Sequence, residues 1–148
     1  MDEPCLFCNI ANKKAQARIV YEDDVCIAFL DPKPATPGHL ILIPKKHVLI
    51  FPQLEKDEII HIFATLKLLS NSLLKSLKLE GTSIFIANGI AAEQHATHLL
   101  IHIIPRQEND GINLTTNKVE FNDQEYTELT EKLKEKWYAM FVENSKEQ

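Results

Sequence analysis

The chain has 148 residues, 45% of them hydrophobic and 25% charged, which fits a single globular domain, 1–148, with a sizeable core. Its net charge of −5 argues against a basic nucleic-acid platform and against docking on an anionic membrane surface. No apolar run approaches membrane-spanning length. The start, Met-Asp-Glu-Pro-Cys, has neither the basic nor the apolar region of a signal peptide, so a cytoplasmic protein is expected.

In chain order, Cys5 and Cys8 come first as Cys-x-x-Cys. A reducing compartment disfavours a disulfide. A redox pair would be expected at a strand-to-helix junction, and nothing before residue 5 could form that strand. A metal knuckle needs two more donors, and the chain offers histidines at 39, 47, 61, 95, 98 and 102. Redox motif, metal knuckle and chance spacing stay open at this point. Leu6–Lys13 reads as a short helix. Arg18–Glu22 and Val25–Leu30 read as strands joined by a tight turn at Asp23-Asp24, with Cys26 a packed thiol inside the second. Asp31–Gly38, with three prolines and a glycine, is a loop. His39–Ile43 is a third strand, stopped by Pro44.

Glu55–Lys78 is the clearest helix, with an apolar stripe of Ile59, Ile62, Phe63, Leu66, Leu69, Leu73 and Leu77 and an acidic first turn. Gly81 is read as its stop, and His61, outside the stripe, as solvated. Ser83–Asn88 and Thr97–Ile104 are two more strands. A last helix is expected from Asn122, with Glu125 as capping partner, through Leu129, Leu133, Trp137 and Phe141, about 122–143. These elements make an α+β domain: a mainly antiparallel sheet of about five strands, with its helices on one side.

Residues 94–106 read Gln-His-Ala-Thr-His-Leu-Leu-Ile-His-Ile-Ile-Pro-Arg. On a strand, positions 98, 100 and 102 share one face, so His98 and His102 point the same way with Leu100 between them. The segment resembles the His-x-His-x-His signature of the histidine-triad (HIT) superfamily, with leucine at the central histidine. The resemblance spans about residues 5–112. It includes Tyr21-Glu22-Asp23-Asp24, Ile27-Ala28-Phe29-Leu30-Asp31, Pro37-Gly38-His39, Ile43-Pro44-Lys45-Lys46-His47, Asn88-Gly89, Gln94 and Ile104-Pro105-Arg106. The last helix lies outside it.

The resemblance implies a homodimer with a nucleotide site in each subunit. It also implies chemistry at the α-phosphate of nucleotide phosphoramidates or dinucleoside polyphosphates. There the central histidine attacks phosphorus, and a covalent intermediate divides one displacement into two steps. Residue by residue, it assigns Leu6, Phe7, Ile10 and Phe29 to an apolar pocket for a purine base and Asp31 to the ribose hydroxyls. It assigns Asn88, Gln94, His95 and His102 to the α-phosphate, with His39 beside them. Cys5, Cys8, His47 and His98 match the ligands of a structural zinc found in some branches. Without the resemblance, Asp31 before a proline reads as a turn aspartate and Lys45-Lys46 as a solvated turn.

Two departures bear on function. Leu100 cannot attack phosphorus, and losing a nucleophile costs several orders of magnitude in rate. Glu93 stands where the family has a glycine that lets backbone approach the phosphate. The reading that follows is a nucleotide-binding scaffold with weak or absent family chemistry. The alternative is an active hydrolase or transferase in which His95 or His102 replaces the nucleophile.

Overall fold

The computed structural model describes residues 5–146, with side chains through residue 143. It divides into two compact units, Met1–Ile112 and Asn113–Gln148. In the first, β1 (Ile19–Glu22), β2 (Cys26–Leu30), β3 (Leu40–Pro44), β4 (Gly81–Phe85) and β5 (Ile101–Arg106) form one sheet in the order β1-β2-β3-β5-β4. All four pairings are antiparallel.

Two-residue alternation along the three central strands divides the core in two. Cys26, Ala28, Leu40, Leu42, Ile101 and Ile103 pack with Ile62, Leu66, Leu69 and Leu73 of α2 (Lys56–Leu77). The intervening residues Ile27, Phe29, Ile41 and Ile43 pack instead with Ile10 and Ala11 of α1 (Leu6–Ala11). The expectation of helices on one side is therefore corrected: α1 lies on the face opposite α2. The strand sequences explain it, since Cys26–Phe29 and Leu40–Pro44 are buried at every position and a strand buried on both sides needs two covers.

Several boundaries differ from the sequence reading. Of the expected stripe on α2, Phe63 and Leu77 are exposed, while Thr65 joins the core. The helix ends on Lys78 in the left-handed conformation, with φ of 53°; Gly81 does not stop it but opens β4. Phe85, opposite His102, is the last ladder residue of β4, which leaves Asn88 in the following loop. His61 is not simply solvated, because its Nε2 lies 2.5 Å from Asp23 Oδ2. Asp23 also accepts from the Tyr21 hydroxyl and from the backbone N–H groups of Val25 and Cys26. Burial opposes its ionisation, but these bonds hold its carboxyl well below the usual range. Cys26 is the packed thiol expected, pushed up to about 12 by burial.

In the second unit α3 spans Asp123–Lys146. The expected cap is present: Glu125 N–H donates to Asn122 Oδ1 at 3.0 Å and Asn122 N–H donates to Glu125 Oε2 at 2.8 Å. Trp137 stacks on Phe141 at 5.1 Å along the helix.

Candidate functional site

The triad-like segment does not begin as a strand. β5 starts at Ile101, three residues after His98. Residues 97–100 run beside β3 without a regular ladder, held by the Leu99 N–H to the Val48 carbonyl at 2.8 Å. Alternation nevertheless carries through. Leu99 is buried on the α2 side, and Leu100 packs against the α1-side cluster.

One end of this segment forms a donor cluster. Cys5 precedes α1, Cys8 lies within it, His47 follows β3, and His98 is fully buried. The His98 Nδ1 lies 3.6 Å from Cys5 Sγ and 3.7 Å from Cys8 Sγ, and Cys8 Sγ lies 3.1 Å from His47 Nδ1. All four donor atoms fall within 4.8 Å of one another. Tetrahedral zinc–sulfur and zinc–nitrogen bonds would separate such atoms by about 3.6 Å, so the set fits a closed Cys₂His₂ centre. The ring of His98 is oriented for that use: its Nε2–H donates to the Pro44 carbonyl at 2.9 Å, which leaves the Nδ1 lone pair facing the sulfurs. Burial holds His98 below the ordinary histidine value, hence neutral. Of the two thiols, burial raises both, but backbone and thiol hydrogen bonds outweigh it at Cys5 and hold that one down.

The other end opens on a cleft of about 770 Å³ between α1 and the sheet. Leu6, Phe7, Ile10, Phe29, Ile41 and Leu100 give its apolar wall. Gln16, Arg18, Asp31, Lys33, His95 and His102 supply its polar groups. His39 is buried just behind His102, with its Nε2 2.9 Å from His102 Nδ1. The Ala35 N–H donates to His39 Nδ1 at 3.1 Å. That bond places the His39 proton on Nε2, where it donates to His102 Nδ1, and so leaves the His102 proton on Nε2. Asp31 Oδ2 lies 3.7 Å from His39 Nδ1 and 4.0 Å from His102 Nδ1. Burial depresses both histidines below their ordinary value, with the Asp31 carboxylate opposing it at each, so the pair is neutral near pH 7. His102 is thus a hydrogen-bond donor held by a directional chain, and its free nitrogen lone pair is already taken.

Of the residues assigned by resemblance, Leu6, Phe7, Ile10, Phe29, Asp31, His95 and His102 come together on this cleft. Asn88 and Gln94 are not among its lining residues. Asn88 Oδ1 accepts the Phe51 N–H, and Gln94 bonds the Gly89 N–H and the Leu49 and Ala96 carbonyls. Both side chains instead pin the two loops beside the cleft. Glu93 sits at φ of 63°, a left-handed conformation that suits the glycine the family pattern places there. Ile41, Arg18 and Lys33 were not singled out from sequence. Ile41 could have been found, because it pairs with Phe29 across β2 and β3. The two cations carry no motif.

Comparison with known proteins agrees with this fold. A family model described as the HIT domain matches residues 12–109. An uncharacterized HIT-like protein of Methanocaldococcus jannaschii is 38% identical over 131 residues, covering 88% of this chain and 97% of its own length. The adenylylsulfatase HINT3 of Arabidopsis thaliana is 33% identical over 110 residues, covering 74% of this chain and 56% of that protein. Among solved structures, the SMU.412c protein of Streptococcus mutans superposes with a TM-score of 0.85 at 30% identity, over 92% of this chain and 86% of that one. A zinc-bound histidine-triad family protein of Mycobacterium smegmatis gives 0.70 at 28% identity, over 78% and 84%.

Proposed function

The chain belongs to the HIT-domain family, and from that premise we propose that it binds a purine nucleotide in the α1-side cleft without carrying out nucleotidyl transfer at the family's usual rate. The observation that carries this reading is Leu100 on the cleft wall beside His102. The apolar wall receives the base, Asp31 the ribose hydroxyls, and the His102 Nε2–H the α-phosphate. No group with a free lone pair stands between His98 and His102 to attack phosphorus. Asn88 and Gln94 act by holding the loops 47–53 and 88–96, and Glu93 keeps the second loop from closing on the phosphate.

Zinc is the metal best suited to Cys5, Cys8, His47 and His98. Its chemistry there is structural, because a four-ligand set leaves no open position. It ties the start of α1, and with it the base pocket, to the triad segment. The reducing cytosol suits those thiols. A homodimer accounts for apolar groups left exposed in the first unit: Ile60, Phe63 and Leu68 on α2, and Ile84 and Phe85 on the edge strand β4. Light scattering should then give about twice the 16.9 kDa chain mass; a monomer at micromolar concentration removes this part of the reading.

A second reading has one observation in its favour: the exposed His95 shares the cleft with Leu100. In it, His95 attacks phosphorus and the chain is an active hydrolase or transferase. The His102 version is weakened by the relay, which already occupies its Nδ1. Incubation with an adenosine phosphoramidate separates the two. Binding without turnover and without a nucleotidyl-protein adduct supports the first reading. An adduct lost in His95→Ala supports the second.

A further inference from the structure

Asp31 is bracketed by two cations that nothing in the fold uses. Arg18 stands across the β1–β2 edge from Asp31's neighbour, its carbonyl accepting the Leu30 N–H at 3.0 Å. Lys33 lies in Asp31's own turn, its N–H donating to Asp31 Oδ1 at 2.8 Å. Both side chains are exposed and both line the cleft. Among the described residues neither has an ion-pair or hydrogen-bond partner for its charged end. Four other cations of this unit are paired, Lys13 and Lys45 with Glu22, Lys46 with Glu55 and Arg106 with Asp110. Lys14, Lys56, Lys67, Lys75 and Lys78 are without such partners among the described residues but do not line the cleft; Arg18 and Lys33 are set apart by their place on it. Asp31 is the one carboxylate of the cleft lining, so two positive groups flank it in a chain whose net charge is −5.

An overall acidic protein gains nothing in solubility from two free cations inside a ligand cleft. They do offer an anion, placed at the ribose edge of a bound nucleotide, two charge-assisted partners. We propose that this cleft selects nucleotides that carry a second phosphoryl group on the 2′ or 3′ oxygen of the ribose in addition to the 5′-phosphate. The inference rests on the reading of Asp31 as the ribose contact. With one ribose oxygen phosphorylated, the other hydroxyl still donates to the Asp31 carboxylate. Arg18 and Lys33 take the added phosphate and offset its repulsion by Asp31. Arg18, with its planar fork, grips two phosphate oxygens, while Lys33 acts as a point charge.

Calorimetric titration of the full chain tests this with four probes: adenosine 5′-monophosphate, the 3′,5′- and 2′,5′-bisphosphates, and adenosine 5′-diphosphate. The diphosphate adds charge at the opposite end of the ligand. At low salt one of the two bisphosphates is expected to bind at least about tenfold tighter than the monophosphate, the scale of two solvent-exposed ion pairs. The 5′-diphosphate gains less. In the Arg18→Gln/Lys33→Gln double variant the bisphosphate-to-monophosphate ratio falls to about one. These substitutions lie on exposed side chains without partners, so folding is not at issue. A ratio near one in the native chain, a ratio that survives the double variant, or an equal gain for the 5′-diphosphate each overturns the proposal. If the monophosphate binds and the ratio is one, only this inference fails. If none of the four binds, the nucleotide reading fails with it.

Discussion

His98 and Leu100 are two residues apart, yet the regions they belong to have fared differently. Around His98 a complete donor set survives, with two sulfurs and two imidazoles within 4.8 Å and a carbonyl that orients the buried ring. Around Leu100 polar groups are in place on the cleft, but position 100 itself carries an apolar side chain. Ala35, His39 and His102 still form a directional chain of hydrogen bonds, and the position it flanks is a leucine in an apolar wall. A metal cluster and an active site respond differently to single losses. Removing one ligand of four leaves the buried His98 Nδ1 facing an incomplete donor set and threatens the fold, whereas leucine in place of a nucleophile adds apolar packing and removes only chemistry. The two ends thus differ in what a single side chain decides: at one it completes a donor set, at the other it sets only whether a nucleophile faces the cleft.

The largest effect is expected at the metal end. Elemental analysis of protein purified without added metal should find one zinc per chain, and Cys8→Ser should leave less than about 0.2. Loss of the centre should cost at least about 3 kcal/mol in denaturant unfolding, since binding free energy at a structural site is folding free energy. If native and Cys8→Ser chains unfold at the same denaturant concentration, the cluster is not structural and the contrast disappears.

A smaller effect belongs to the histidine pair. His39 and His102 are held below their ordinary value of about 6.5, so the native state binds fewer protons than the unfolded state. Their contribution to stability is therefore present above pH 6.5 and is lost as pH falls through the folded values. His102→Asn, whose amide oxygen can accept the His39 Nε2–H, should reduce the acid loss between pH 7 and 5 by on the order of 1 kcal/mol. Parallel pH profiles for the two chains, both zinc-loaded, would contradict the neutral relay.

The smallest effect concerns the loop. Glu93, at φ of 63°, is strained in a way glycine is not. Glu93→Gly should raise stability by up to about 1 kcal/mol in urea unfolding. A clear loss would show that the carboxylate has a favourable role there.

Much of this was legible in the chain. The apolar runs Cys26–Leu30 and Leu40–Pro44, the long helix and the capping pair at Asn122 each carry a local signal, and the order of small motifs identified the family. The four metal donors could be named because Cys-x-x-Cys and the two histidines match one pattern. Other features depend on tertiary contact. That α1 covers the face opposite α2 follows from strands buried on both sides, which a short apolar run does not distinguish from strands buried on one. His61 reads as solvated until the β1–β2 turn brings Asp23 to it. The contacts of Asn88 with Phe51 and of Gln94 with Leu49 and Gly89 come from tertiary placement, because a motif records that a residue matters but not which atoms it touches. Arg18 and Lys33 meet at Asp31 only through the β1–β2 edge and the following turn, and no spacing in the sequence announces that.

The central claim is that the scaffold is competent and the nucleophile is missing. Its most direct test is the single-turnover rate of an adenosine phosphoramidate on the native chain and on Leu100→His, with nucleotide binding measured for both. Binding by both chains, with a rate at least ~100-fold higher in Leu100→His, is the expected result, the low end of what a positioned nucleophile contributes. An unchanged rate in Leu100→His, despite intact binding, would contradict the account.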